Sequence, residues 1–376
     1  MKFCNSEAAI CQTPGVTFHF RNVKFSGKMA GRQDSLVICG EGKGSATLAS
    51  FLNLTSSDSG YSMQTPLRVG VIGVGYLGRY HADKYAALPE ARLVGVADLT
   101  WERSREVAKA LGTEAFAAYR LLFPQVEAVS VAVNTPDHYL VVREALEAGL
   151  HVLVEKPITS TVAEADELLR LAAKHDRLLM VGHLERFNSA MEELRNRTTT
   201  PRFIESHRLA FFKERGTDVD VVLDLMIHDL DHVLSLVKSP VTEIRAAGIS
   251  VLTSTVDLAN VRLEFASGCI ANFTASRMSL KSMRRFRLFQ PDAYLAVDFE
   301  AQELTIALRQ EGSAGLIPGV ALDIKRFPKE DVLLKEIQAF VHAVRNQVPV
   351  PISGQDGRAA LKLAADIIAA MRKAKV

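Results

Sequence analysis

From Leu67 onward, short apolar runs alternate with longer stretches whose apolar residues recur every three or four positions. Leu67–Ile72, Arg92–Asp98, Ala128–Val133, His151–Val154 and Leu178–Val181 have strand length and are rich in Val, Leu and Ile. Strands that lack a polar alternation are buried on both faces. Between them, Arg79–Leu88, a segment ending at Gly149 and Val162–Lys174 carry helical spacing, with Gly149 as a C-cap. Repeated β-α-β predicts a parallel sheet covered by helices, over residues 67–184.

After about residue 185 the pattern changes. Phe203–Phe211, Val241–Leu252, Val256–Phe265, Cys269–Ser276, Phe286–Gln290, Tyr294–Phe299 and Glu303–Leu308 read as successive strands, many of them alternating. Asp331–Asn346 and Asp356–Lys373 read as helices. The expectation is a second α/β domain over 185–350 and a C-terminal helix in 351–376 that packs back on the first domain. A sheet with one face on helices leaves the other needing cover, so a homodimer or homotetramer is expected.

Residues 1–66 show no sustained period and are rich in Gly and Ser, as in Gly40–Ser45 and Ser56–Gly60. They read as a poorly ordered extension. A zinc site on Cys4, Cys11, His19 and Cys39 is disfavoured, because the spacings form no compact ligand pair. Translation starting at Met63 is an alternative. The chain has 376 residues, 45 basic and 43 acidic, for a formal charge of +2. That excess lies wholly in residues 1–66, and the remaining 310 residues balance. A neutral body has no global attraction to nucleic acid. With 48% hydrophobic residues but no run of membrane-spanning length, and no secretory signal, a cytoplasmic protein is expected.

Candidate chemistry gathers past the strand ends, where parallel sheets bind ligands. Leu67–Ile72 runs into Gly73-Val-Gly75-Tyr76-Leu77-Gly78 and then a helix. Gly73 permits the tight turn, Gly75 lets backbone approach a pyrophosphate, and Gly78 allows close helix–strand packing. Asp98 follows 20 residues after Gly78, at the end of the second strand. A carboxylate there accepts from ribose hydroxyls and repels a 2′-phosphate, favouring NAD over NADP, although Arg103 and Arg105 are near enough to hold such a phosphate. Asn134-Thr135-Pro136, Glu155-Lys156-Pro157 and His183 complete the rim. Lys156 is positioned to donate to a substrate oxygen. Asp224 and His228, four apart in an apolar helical stretch capped by Asp218 or Asp220, share a face and offer a carboxylate beside a general base. Half a metal site is the disfavoured alternative, and no metal is expected.

The ordered set of Gly73–Gly78, Glu155-Lys156-Pro157 and Asp224…His228 resembles the Gfo/Idh/MocA family of NAD(P)-dependent sugar and polyol dehydrogenases, from about Leu67 to the C-terminus. The resemblance implies a Rossmann domain followed by an α/β domain with a large, mostly antiparallel open sheet. It implies Lys156, Asp224 and His228 as the catalytic group. Glu155 would approach the nicotinamide ribose, and Thr135-Pro136 would line the dinucleotide. Gly182–Asn188, Asp220–Asp231 and Ser276–Phe299 resemble the branch that oxidises C3 of UDP-N-acetylglucosamine, ahead of a transamination that serves a glycolipid such as lipid A. A sugar diphosphate calls for cations, and Lys213, Arg215, Arg277, Lys281, Arg284 and Arg285 are available, with Arg186 and Asn188 as candidates for the sugar or ribose. Another sugar, a polyol, a UDP-GlcNAc uronic acid, or a non-catalytic NAD(H) sensor remain the alternative readings.

Overall fold

The computed structural model describes residues 8–13, 16–21, 65–212, 219–312 and 317–373. The chain forms two compact units, Met1–Met63 and Gln64–Val376. In the first, β1 (Ala8–Thr13) pairs antiparallel with β2 (Val16–Arg21). The sequence pattern did not announce this pair. The side chains of Cys4, Cys11, His19 and Cys39, and the rest of the expected extension, lie outside the described residues.

The second unit opens with a six-stranded parallel sheet. Its strands are β3 (Leu67–Ile72), β4 (Ala91–Ala97), β5 (Glu114–Phe116), β6 (Ala128–Val131), β7 (His151–Glu155) and β8 (Leu179–Gly182), in the order β5-β4-β3-β6-β7-β8. The order reverses between β3 and β6, which opens a crevice beyond their C-terminal ends. The connecting helices are α1 (Tyr76–Ala87), α2 (Trp101–Leu111), α3 (Tyr119–Leu122), α4 (Thr135–Glu147) and α5 (Val162–Lys174). The apolar runs are explained by burial: every residue of β6 and β8 is buried. Each such Val or Leu is worth about 1.5–3 kcal/mol relative to exposure. Helix α5 starts at Val162 because Thr161 and Glu164 form a reciprocal cap: Glu164 N donates to Thr161 Oγ1 at 3.3 Å and Thr161 N donates to a Glu164 oxygen at 2.9 Å.

The second sheet has eight strands. Helix α6 (Ser189–Arg197) precedes β9 (Phe203–Leu209), and α7 (Ile227–Leu236) precedes β10 (Val241–Ile249). There follow β11 (Leu258–Phe265), β12 (Ile270–Ser276), β13 (Met283–Gln290), β14 (Ala293–Asp298), β15 (Glu303–Arg309), β16 (Val320–Arg326), α8 (Val332–Asn346) and α9 (Gly354–Lys373). The sheet order is β10-β11-β12-β9-β13-β14-β15-β16, with only β9–β12 parallel among the described pairings. The alternation has its cause here. One face packs on Met191, Leu230 and Ile367 from α6, α7 and α9, while the other is only partly covered.

The last two helices tie the sheets together. Helix α8, expected with the second domain, lays Ile337, Phe340, Val341 and Val344 into the core of the first sheet. Helix α9 sends Leu361 into that core and Leu363, Ala364 and Ile367 into the other. No helix among the described residues is long and apolar enough to cross a membrane.

Candidate active site

Gly73 turns the chain out of β3 with φ +82°, and a Cβ there would stand 2.7 Å from Ala132 O and Val133 N. At Gly78 a Cβ would fall 1.7 Å from Gly73 O, so helix α1 can lie against the turn only without one. Gly75 differs: its Cβ would meet nothing within 4 Å. It also stands at the N-terminus of α1, where no side chain caps the helix and the first turn holds no acid. Free N–H groups, positive dipole and an uncovered backbone fit a dinucleotide pyrophosphate. Tyr76 is exposed and Leu77 half-buried beside it.

Asp98 stands at the end of β4 with both oxygens in use: Val74 N donates to one at 2.8 Å, and Thr100 N and Arg103 donate to the other at 2.9 and 3.1 Å. It pins the glycine turn and engages Arg103. Across the crevice, Asn134 begins α4, with Pro136 in the first turn and Thr135 half-buried. The ring nitrogens of buried His138 lie 2.8 Å from Pro157 O and 3.1 Å from Val133 O, joining this loop to the one after β7.

After β7 the chain delivers Glu155 and Lys156, the latter joined to Pro157 by a cis peptide. The Lys156 ammonium donates to Asp224 O at 2.7 Å and lies 3.8 Å from Asp224 Oδ1. This lysine thus joins the loop after β7 to the segment around Asp224. The sequence predicts a regular α-helix through Asp224, but Val222–Met226 form a π turn before α7. Its start is anchored sideways: Val221 N donates to Val256 O, and Val256 N to Asp220 Oδ1. Such turns widen a helix locally and recur at functional sites. Asp218, the other expected cap, lies outside the described residues.

His228 follows one turn on, its ring 6.3 Å from that of His183 and perpendicular to it. Behind them Arg208 is buried between two acids. It donates to Glu185 at 2.7 and 2.5 Å and to Asp229 at 2.8 and 2.9 Å. Burial alone would raise the Glu185 carboxyl, yet the Arg208 charge holds it well below the usual range. Burial, then the charges of Lys156 and Arg208, push His228 well below an ordinary imidazole, against the pull of Glu185. Burial also lowers the Lys156 ammonium, opposed by Asp224 and Glu155. The pocket therefore presents an imidazole and an ammonium whose pKa values are both pushed down, groups able to take and to donate a proton.

Most of the other expected substrate contacts have partners within the protein or lie outside the described residues. Arg186 is spent on Asp231, at 2.6 and 2.5 Å, and on Asp356 at 3.3 Å. Asn188 caps α6 by accepting from Ala190 N and Met191 N, and donates to Gln302. Arg277 is buried and donates to Val219 O at 2.6 Å. All three side chains are engaged by the protein itself, Arg277 having been expected at the diphosphate and Arg186 and Asn188 at the sugar or ribose. Lys213 and Arg215 lie outside the described residues. Glu185 and Arg208 escaped the sequence reading. Their signal was an arginine at an inward position of alternating β9, where an unpaired charge is untenable.

A glycine turn at the switch point of a parallel sheet, with a lysine and a histidine converging beyond it, defines a nucleotide-dependent oxidoreductase. The comparisons agree. Residues 67–183 match the oxidoreductase family NAD-binding Rossmann fold, and residues 187–293 match the GFO/IDH/MocA C-terminal domain. The chain is 40% identical over 302 residues to UDP-N-acetylglucosamine 3-dehydrogenase of Acidithiobacillus ferrooxidans, covering 80% of this chain and 96% of that one. A solved structure of that enzyme superposes with a TM-score of 0.78 over 82% of this chain and 98% of that one. Myo-inositol 2-dehydrogenase of Thermotoga maritima is 28% identical over 319 residues, covering 79% and 94%. The chain belongs to the Gfo/Idh/MocA oxidoreductase family.

Proposed function

We propose that the protein oxidises the C3 hydroxyl of UDP-N-acetylglucosamine to the 3-keto sugar with NAD. The observation that carries this reading is the 40% identity to an enzyme of that name, continuous across both sheets. Bound NAD supplies the hydride acceptor. Gly73, Gly75 and Gly78 with the α1 N-terminus would hold its pyrophosphate, and Tyr76 and Leu77 would flank it. Asp98 would hold the adenosine ribose, Asn134, Thr135 and Pro136 the opposite wall, and Glu155 the nicotinamide ribose. NAD rather than NADP is favoured because Arg103 is already engaged by Asp98 at 3.1 Å, leaving it poorly placed for a 2′-phosphate.

His228 accepts the proton of the C3 hydroxyl. Lys156 donates a hydrogen bond to the same oxygen and favours the alkoxide as the hydride leaves C3. Asp224 steadies Lys156 through its carbonyl and carboxylate. Glu185, fixed by Arg208, offsets the imidazolium that His228 becomes. Arg284 is the register partner of Arg208 and shares its sheet face, exposed at the strand end, which suits it to the diphosphate.

The test is a substrate panel with NAD and a ketone trap: UDP-N-acetylglucosamine, its uronic acid, free N-acetylglucosamine and myo-inositol. Reduced nicotinamide with the first alone is expected, and turnover only of substrates without uridine diphosphate overturns the assignment. A product 3-keto sugar suits a later transamination, consistent with supply of a 3-amino sugar to an envelope glycolipid. The partly covered sheet face, with Ile249, Phe289, Leu322 and Ile324 exposed, supports a homodimer or homotetramer. A monomer by light scattering at micromolar concentration contradicts that.

A further inference from the structure

Behind the Glu155–Lys156 turn lies a sealed polar cluster, of which the proposed function uses Glu155 alone. His81 from α1, Glu155 from β7 and Glu336 from α8 are each buried, and one ligand atom of each lies within 4.8 Å of the other two. His81 Nε2 is 2.9 Å from Glu155 Oε1, and its Nδ1 is 3.3 Å from Ser130 Oγ. The Tyr85 hydroxyl contacts the same Ser130 oxygen at 2.9 Å. Lys156 N donates to the other Glu155 oxygen at 3.3 Å. Glu336 is fully inaccessible, and neither of its oxygens has a hydrogen-bond partner among the described residues.

A lone buried carboxylate is costly, and a second anion beside Glu155 more so. The titratable groups around Glu336 are few. Helix α1 brings His81 and Tyr85, and β7 brings Glu155. The short helix Leu184–Phe187, which also packs on α8, commits its charges elsewhere, Glu185 to Arg208 and Arg186 to Asp231. No cation among these groups is directed at Glu336. Two carboxyls so close in a dry site ionise once between them.

We propose that Glu155 and Glu336 hold a single proton between them, resident on Glu336, so that Glu336 is a neutral positioning residue for an anionic Glu155 paired to His81. The direction of both groups agrees. Burial, then the Glu155 charge, pushes Glu336 well above the usual carboxyl range, whereas at Glu155 burial, which would raise the carboxyl, is outweighed by the bond to His81 and it lies below. Lys156 is adjacent in sequence and feels the Glu155 charge. The proton on Glu336 therefore sets the orientation and charge of the group next to the proposed catalytic lysine.

The experiment is infrared spectroscopy of the purified protein in H2O and D2O, comparing wild type with Glu336→Gln. The wild type is expected to show at neutral pH the carbonyl stretch of a protonated carboxylic acid, shifted by deuterium and absent from Glu336→Gln. Glu336→Gln is isosteric and neutral, so it should fold and bind NAD as the wild type does. Glu336→Leu should bind NAD about tenfold more weakly while melting cooperatively, since it leaves Glu155 without a neutral polar neighbour. A wild-type spectrum without that acid carbonyl band, in which Glu336→Gln instead removes the stretches of an ionised carboxylate, overturns the proposal, because Glu336 is then ionised. The first arm needs no sugar substrate, so its failure is distinct from failure of the proposed activity.

Discussion

Replacing Gly75 and Gly78 singly by alanine separates two demands that the same motif makes. At Gly78 the added methyl lies 1.7 Å from Gly73 O and 2.8 Å from Gly73 C, both backbone, with no side chain to swing aside. Overpacking of this kind costs about 1–3 kcal/mol. Alanine returns about 1 kcal/mol of helix propensity at this position in α1. The net loss is up to about 2 kcal/mol, a fall in Tm of several degrees. At Gly75 the methyl meets nothing within 4 Å, so stability should hold. The methyl does enter the space above the α1 N-terminus, where a phosphate oxygen would accept from backbone N–H. Losing one such charge-assisted hydrogen bond costs about 1.5–3 kcal/mol, a weakening of about 10- to 100-fold in Kd. Calorimetric titration with NAD and thermal melting of both variants provide the assay. Wild-type NAD affinity in Gly75→Ala would refute the placement of the pyrophosphate over Gly75.

Lys156→Met should lower kcat by about 10²–10⁴ while leaving NAD affinity near wild type, and unchanged kcat removes Lys156 from the chemistry. His228 must be neutral to accept a proton, and burial with Lys156 and Arg208 lowers its pKa, so the acid limb of kcat/KM should lie below the ordinary imidazole range. Glu185→Gln removes the opposing anion and should move that limb lower still; a limb moving upward contradicts the pairing. Arg284→Ala should raise KM for the UDP-sugar by about 10-fold or more without changing NAD affinity, and an unchanged KM assigns the diphosphate elsewhere. Burial, then Arg177, holds His151 down at about 4. Below about 6.5 the unfolded chain takes this proton first, so stability should fall as pH drops from about 6.5 toward 4. His151→Gln should flatten that slope in melts across the range, and an identical slope would rule His151 out as its source.

The first sheet was legible because its strands are buried on both faces, as at Leu67–Ile72, and helix Val162–Lys174 because its apolar residues recur at helical spacing; both were bounded to the residue. β5 escaped because three residues carry no period, and β16 because Val320–Arg326 mixes charges into an exposed edge. Lys156, Asp224 and His228 were legible as motifs: Lys156 follows the end of β7, and Asp224 and His228 keep their spacing of four across the π turn and the start of α7. The π turn at Val222–Met226 was not, because the apolar spacing of a helix survives a local widening. For Arg186 and Asn188 the sequence did not show the partners that the fold supplies, Asp231 and the α6 backbone. Glu336 was invisible: a lone acid in an amphipathic helix reads as solvated until the packing of α8 on α1 buries it.

The most direct test of the proposed chemistry follows one hydrogen. UDP-N-acetylglucosamine carrying deuterium at C3 is incubated with the protein, NAD and a ketone trap, and the reduced dinucleotide is weighed by mass spectrometry. The expected result is reduced NAD that carries the deuterium, with the trapped sugar lacking it. Reduced NAD without deuterium, or no reduction while an inositol or free sugar is oxidised, contradicts oxidation at C3 of a UDP-sugar.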